Sequence, residues 1–358
     1  MPSHDNYVPV LKWKMGEYQA LSKLSDSVKN KITPLIEIPP VGFDFELSQN
    51  RESWESHLGD FGKRLKSKWQ SRPCFVDLKW VPDAVRVGSQ HPVDFVLGQA
   101  RAEGCTAIPV VPLSSDRATR QSIRRVVRED GRGVALRISR SDFDSDSISI
   151  DIEACLTAVD TPLNETDLVI DMGMPNYVPL KIFVRSLSTV LYELLPTPNR
   201  WRSLVIVGSS YPASVVGLES EFVTRYEWLA YKAFIQSLSP GSRIPTYGDY
   251  GAATTDLVEL DMRLIKPMAK LRYTTDDKWY IAVGKNVRAH GFEQYRAMCD
   301  KLRKKPFFSG RGFSEADRYI EDCAKGVEKT GNLSTWVWVA TNRHVSKVVF
   351  DLATLYAS

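Results

Sequence analysis

Cysteine, histidine and long apolar runs are all sparse in this sequence, and each shortage removes a class of function. The five cysteines (Cys74, Cys105, Cys155, Cys299 and Cys323) form an odd, scattered set with no CxxC pair. A disulfide frame or a zinc site needs regular spacing, so they read as reduced, buried thiols of a cytoplasmic protein. No run of about twenty apolar residues occurs, which argues against a transmembrane helix and a membrane partner. The opening MPSHDNYVPV lacks both the basic and the apolar region of a secretory signal. No GxGxxG follows an early strand-like run, so a nucleotide-binding doubly wound domain has no support. An excess of one charge is missing too. The formal net charge of +4 is too small to imply nucleic-acid binding, and the basic runs at 62–68, 117–128 and 301–305 read as solvated helix faces. Nucleic acid is therefore admitted as a partner but not favoured.

What is present is a rhythm. Short runs rich in Val and Ile alternate with longer segments of helical period. The runs are VPVLKW (8–13), ITPLIEI (32–38), CFVDLK (74–79), AIPVVPL (107–113), GVALRIS (133–139), DLVIDMG (167–173) and SLVIVGSS (203–210), with a weaker IPTYGDY (244–250). Between them, Trp54, Leu58, Phe61, Leu65 and Trp69 recur at steps of three and four, as one buried helix face does. Strands that are continuously apolar are buried on both faces, as parallel strands flanked by helices are. Seven or eight such units with short connectors predict an α/β fold, a (β/α)8 TIM-like barrel over 1–285. An extension of helix and strand over 286–358 would pack on it. An open doubly wound parallel sheet is the alternative. Strand one is either 8–13 or 32–38. The stretch 269–284 reads as a hairpin that closes the barrel or begins the appended piece.

Barrel enzymes build their sites at the C-terminal ends of the strands. At those ends stand Lys12, Glu37, Asp77, Lys79, Arg137, Asp171, Ser209 and Asp249, with Arg272 further on. Four carboxylates, Glu37, Asp77, Asp171 and Asp249, are the candidate catalytic groups; Glu37–Asp171 or Asp77–Asp249 would pair as acid and base. Lys12, Lys79, Arg137, Ser209 and Arg272 are the candidate ligand-binding groups. Such a mixture suits an anionic ligand such as a phosphate ester, with or without a divalent ion. The same residues suit salt bridges that merely close the barrel mouth.

The five histidines, His4, His57, His91, His290 and His344, avoid the ends of the strand-like runs. That disfavours a zinc centre and imidazole acid–base catalysis at the mouth. No metal ligand set is assigned. The tail GNLSTWVWVATNRH (331–344) reads as a core-packed strand with a polar end, ahead of base stacking by its tryptophans.

The stretches YVPVLKWKMGEYQAL, ITPLIEIPP and FVDL, with GN..TW....TN.H near the end, resemble the beta protein family of phages and bacterial mobile elements. The resemblance spans Tyr7 to Leu352. It implies a component of an anti-phage defence cluster, with other proteins of that cluster as partners and a toxic one to restrain. It carries no catalytic residues or cofactor. Two functions follow as expectations. One is binding of a partner or a nucleotide-like anionic ligand at the barrel mouth. The other is a hydrolase or phosphoryl-processing enzyme using strand-end carboxylates and a Lys/Arg clamp.

Overall fold

The computed structural model describes residues 2–145, 147–195, 198–217, 221–257, 261 and 264–357. Eight parallel strands close into a barrel: β1 (Tyr7–Lys12), β2 (Leu35–Glu37), β3 (Cys74–Asp77), β4 (Ala107–Pro112), β5 (Val134–Ser139), β6 (Thr166–Asp171), β7 (Ser203–Gly208) and β8 (Thr246–Asp249). Neighbours in sequence are neighbours in space. The ring shuts where Tyr7 pairs with Tyr247 and Pro9 with Asp249. That closing pair makes the fold a TIM-like barrel and not an open sheet, and it makes 7–12 the first strand.

Helices α1 (Met15–Ser22), α2 (Phe61–Trp69), α3 (Pro92–Ala102), α4 (Arg117–Asp130), α5 (Ile148–Val159), α6 (Leu180–Thr189) and α7 (Tyr226–Gln236) follow or flank the strands. Two apolar layers result. Inside the ring, Val8, Val10, Leu35, Phe75, Ile108, Val110, Ala135, Val169, Val205 and Val207 form one cluster, joined by Tyr250 just past β8. Outside it, the intervening residues (Leu11, Ile36, Val76, Leu136, Leu168, Ile206) pack beneath the helices. The alternation is the period of two of an extended chain, both of whose faces are buried here.

The hairpin lies outside the barrel. Strands β9 (Met268–Thr274) and β10 (Lys278–Asn286) pair antiparallel, and the short strand Phe222–Thr224 adds to β10. Their inner face packs with α8 (Gln294–Arg303), α9 (Glu315–Lys325) and the start of α10 (Leu333–Ala357) in a second core.

The tail therefore contains no strand: TWVWVATNRH is the first half of α10, a helix of 25 residues. The alternating WVWV imitates a strand, but this helix is buried on several sides and so shows no single apolar stripe. Its start is written in Asn332, whose Oδ1 accepts the Thr335 N–H (3.1 Å) while the Asn332 N–H donates to Thr335 Oγ1 (3.1 Å). That is a reciprocal N-cap. Trp336, Trp338 and Val339 belong to the second core and Val345, Val348 and Leu352 to the barrel. One helix thus joins the two.

Helices α2 and α3 meet through Gly62. A Cβ at that position would lie 2.5 Å from the Gln99 carbonyl oxygen, so only glycine permits the approach. Replacing Gly62 with Val is expected to cost about 1–3 kcal/mol. The measurement is a lower urea midpoint at unchanged slope.

Candidate functional site

The inward positions of the barrel continue past the apolar layer to polar residues at the C-terminal ends. Two residues beyond Val10, Leu35, Phe75, Ala135, Val169 and Val207 stand Lys12, Glu37, Asp77, Arg137, Asp171 and Ser209. The same two-residue step that lines the barrel with Val and Leu therefore gathers one charge cluster at its mouth.

Arg137 is the centre of that cluster. Its guanidinium donates to Asp77 Oδ2, to Asp171 Oδ2 (2.6 Å from Nη2, 3.1 Å from Nε) and to the Tyr250 hydroxyl (2.7 Å), and Nη2 lies 2.9 Å from Glu37 Oε1. Tyr250 donates in turn to Asp171 Oδ2 (2.6 Å). Trp80 Nε1 donates to Glu37 Oε2 (2.9 Å), and Lys79 Nζ sits 3.0 Å from Glu37 Oε1. Backbone N–H groups complete the set: Lys79 donates to Asp77 Oδ1 (2.9 Å) and Gly173 to Asp171 Oδ1 (3.0 Å). Five of the six carboxylate oxygens accept a hydrogen bond, and the sixth, Glu37 Oε1, is held between the Arg137 and Lys79 charges. Glu37 and Asp77 are fully buried, and Arg137 retains 5% of its exposure.

Burial alone would raise Glu37 and Asp171. The Arg137 charge, helped by Lys79 at Glu37 and by the Tyr250 hydroxyl at Asp171, more than offsets it and holds both below the usual range. At Asp77 burial outweighs Arg137, and the carboxyl is raised. Glu17, in the first turn of α1 beside Lys12, is pushed by burial up to about 7 against the pull of Lys12 and Lys14.

Lys12 does not face open space. Its ammonium donates to the carbonyls of Thr254 (2.5 Å) and Asp256 (3.0 Å), tying the loop after β8 across the rim. Ser209 fixes a turn, accepting from the Tyr211 N–H (3.2 Å) while its own N–H donates to the Gly173 carbonyl (2.8 Å). Arg272 lies on β9 and donates to the Ala252 carbonyl (2.7 Å), at the seam between hairpin and barrel. Lys79 is different. Its side chain is 26% exposed and rests 4.6 Å over the Trp80 ring, on the wall of a cavity of about 210 Å³. This cavity opens between the loops after β3 and β4, next to the first turns of α3 and α4.

Asp249 stands apart from the other three carboxylates. Gly248 and Tyr250 take the inward positions, so Asp249 points outward, to α10. There His344 Nε2 lies 2.9 Å from Oδ2, Tyr247 donates to Oδ2 (2.8 Å), and Tyr7 donates to Oδ1. His344 Nδ1 meets Thr274 Oγ1 at 3.0 Å. The His344 charge and hydrogen bond overcome burial and hold Asp249 well below the usual range. Asp77 and Asp249 thus face different sides of the sheet, whereas Glu37 and Asp171 meet at one nitrogen, Arg137 Nη2.

A family model described as Beta protein matches residues 7–350, from the first strand almost to the end of α10. The chain belongs to the beta protein family. A comparison with curated proteins gives no match. Among solved structures, the enoyl reductase domain of MlnA from the macrolactin biosynthesis cluster of Bacillus amyloliquefaciens is similar at 12% identity and a TM-score of 0.38, covering 99% of this chain and 94% of that one. So low a score adds nothing to the strand pairing.

In this beta protein the arginine-rich face of α4 is interrupted by acids. Arg125 pairs with Asp94 (2.6 Å), and Arg124 and Arg128 with Asp160 (3.5 and 2.7 Å). Among the described residues, no three His, Cys, Asp or Glu side chains form a group that could hold a metal ion. No described helix is long and apolar enough to cross a membrane.

Tyr250, Trp80 and His344 are the mouth and seam residues that the strand-end reading passes over. Tyr250 lies one residue beyond the carboxylate that ends β8, and Trp80 lies in a loop. His344 comes from a helix more than 90 residues away in sequence. Tyr250 alone had a signal, because counting by twos along IPTYGDY from Gly248 reaches it.

Replacing Arg137 with Met strips the common partner from three buried carboxylates. The expected loss is at least the about 3–5 kcal/mol of breaking a buried ion pair, measured by urea unfolding at pH 7. A second prediction concerns Glu227 in α7, which burial pushes up to about 7 against the Arg225 charge. The folded chain keeps a proton there that the unfolded chain has released, so stability falls as pH rises from about 4.5 to 7. Replacing Glu227 with Gln is expected to make that fall shallower by up to about 1.4 kcal/mol per pH unit. Denaturant midpoints across the window read it.

Proposed function

We propose that this beta protein is a recognition component of a phage-defence gene cluster. It binds a small, nucleotide-like anionic ligand at the barrel mouth, with a toxic effector of the same cluster as its protein partner. The defence context comes from the family resemblance; the binding mode comes from the mouth. One observation carries it: the three mouth carboxylates are spent on Arg137 and its neighbours, while the Lys79 ammonium stands on a cavity wall. A catalytic acid must offer a proton and a base a free lone pair to the reacting group. Oxygens held inside the fold by hydrogen bonds or between cations are poorly placed for either role. This weighs against the hydrolase or phosphoryl-processing reading. A lysine beside a cavity suits a phosphate as a point charge on a flexible stem.

The test uses Lys79→Ala. Glu37 keeps Arg137 and Trp80 in that variant, so the fold is expected to survive. A charge-assisted hydrogen bond contributes about 1.5–3 kcal/mol, so the variant should bind phosphate-bearing ligands about tenfold or more weakly by titration calorimetry. Phage protection by the complete gene cluster should fall with it. Undiminished binding and protection would remove the mouth as the recognition site. Turnover of the ligand by the wild-type chain would restore the enzymatic reading.

A further inference from the structure

We infer that the cavity between the loops after β3 and β4 is a subsite for a nucleoside monophosphate, with the base in an apolar slot and the phosphate at Lys79. This rests on the reading of the mouth as an anion-binding site and adds the ligand's class and position. The cavity of about 210 Å³ is lined on its apolar side by Val81, Pro82, Pro92, Val93, Val110 and Pro112. Proline and valine side chains have little rotamer freedom, so these walls are stiff and hold their separation. A stiff apolar slot accepts a flat ring at little entropic cost. Polar atoms complete the lining. Ser114 is exposed there, and His91 Nε2 lies 3.4 Å from Thr119 Oγ1. Such groups suit the donor and acceptor edge of a base.

Lys79 supplies the charge. It pairs with Glu37 Oε1, which also lies 2.9 Å from Arg137 Nη2, while Oε2 accepts from Trp80. Its ammonium can therefore turn to a phosphate without leaving a buried carboxylate unpaired. Asp77, the buried acid among the lining residues, is already paired with Arg137. Two features limit the ligand's size. A cavity of about 210 Å³ leaves no room for a second base, which disfavours a dinucleotide. Asp83, exposed and also among the lining residues, repels the further negative charge of a di- or triphosphate.

The test is titration calorimetry on the full chain with the monophosphates of adenosine, guanosine, cytidine and uridine, beside ribose 5-phosphate and inorganic phosphate. At least one nucleoside monophosphate should bind about tenfold or more tightly than ribose 5-phosphate. Ser114→Trp, which fills the slot from an exposed position, should weaken that binding by about tenfold or more with unchanged thermal unfolding. Ser114→Ala, which leaves the slot open and removes one hydroxyl, should weaken it less than Ser114→Trp does. Equal binding of ribose 5-phosphate and every nucleotide would overturn the base slot while leaving an anion-binding mouth. Nucleotide binding indifferent to Ser114→Trp would place the base elsewhere. Failure of every phosphate compound to bind would overturn both this inference and the reading beneath it.

Discussion

Arg137 cannot shed its charge, and it sits where the barrel offers it almost no water. Its surroundings follow from that constraint. A guanidinium has five donors in a fixed plane, and the structure answers them with carboxylates from β2, β3 and β6 and with the hydroxyl after β8. These acceptors come from strands spread around the ring, so the arginine fixes their relative positions as it satisfies itself. The mouth thus has a rigid floor. What remains adaptable lies at its edge, in Lys79 and the loops after β3 and β4.

The architecture was legible because its signal is repeated. Eight apolar runs, each followed by a polar end, leave few alternatives once connectors are short. The inward charges Glu37, Asp77, Arg137 and Asp171 were legible for the same reason. Asp249 is a different case, facing α10 instead of the barrel interior. Taking the last carboxylate of each run ignores which face it occupies, and a shift of one residue sends a side chain to the opposite side of the sheet. Counting by twos from the apolar body of the strand separates Asp249 from the others and finds Tyr250. Trp80 and His344 lie beyond such counting, because loop paths and a distant helix decide where they arrive.

The tail failed for a different physical reason. Alternation of Trp and Val over four residues is local evidence for a strand, but α10 is packed by the hairpin, by α1 and by the barrel together. A helix buried from several directions has no polar stripe to betray its period. The Asn332–Thr335 cap was the better local signal, since it describes the backbone and not the burial.

The position of α10 also bears on how the molecule comes to exist. Tyr7 and His344 meet on the same carboxylate, and Asn342 donates to the Ala20 carbonyl across 322 residues of sequence. Contacts between segments so far apart in sequence close long loops, and such contacts are slow to form. During synthesis β1 emerges first and has to wait for β8, and the buried Asp249 has to wait longer still for its imidazole. Until α10 docks, Asp249 has hydroxyl and backbone N–H donors from the barrel but lacks the imidazole.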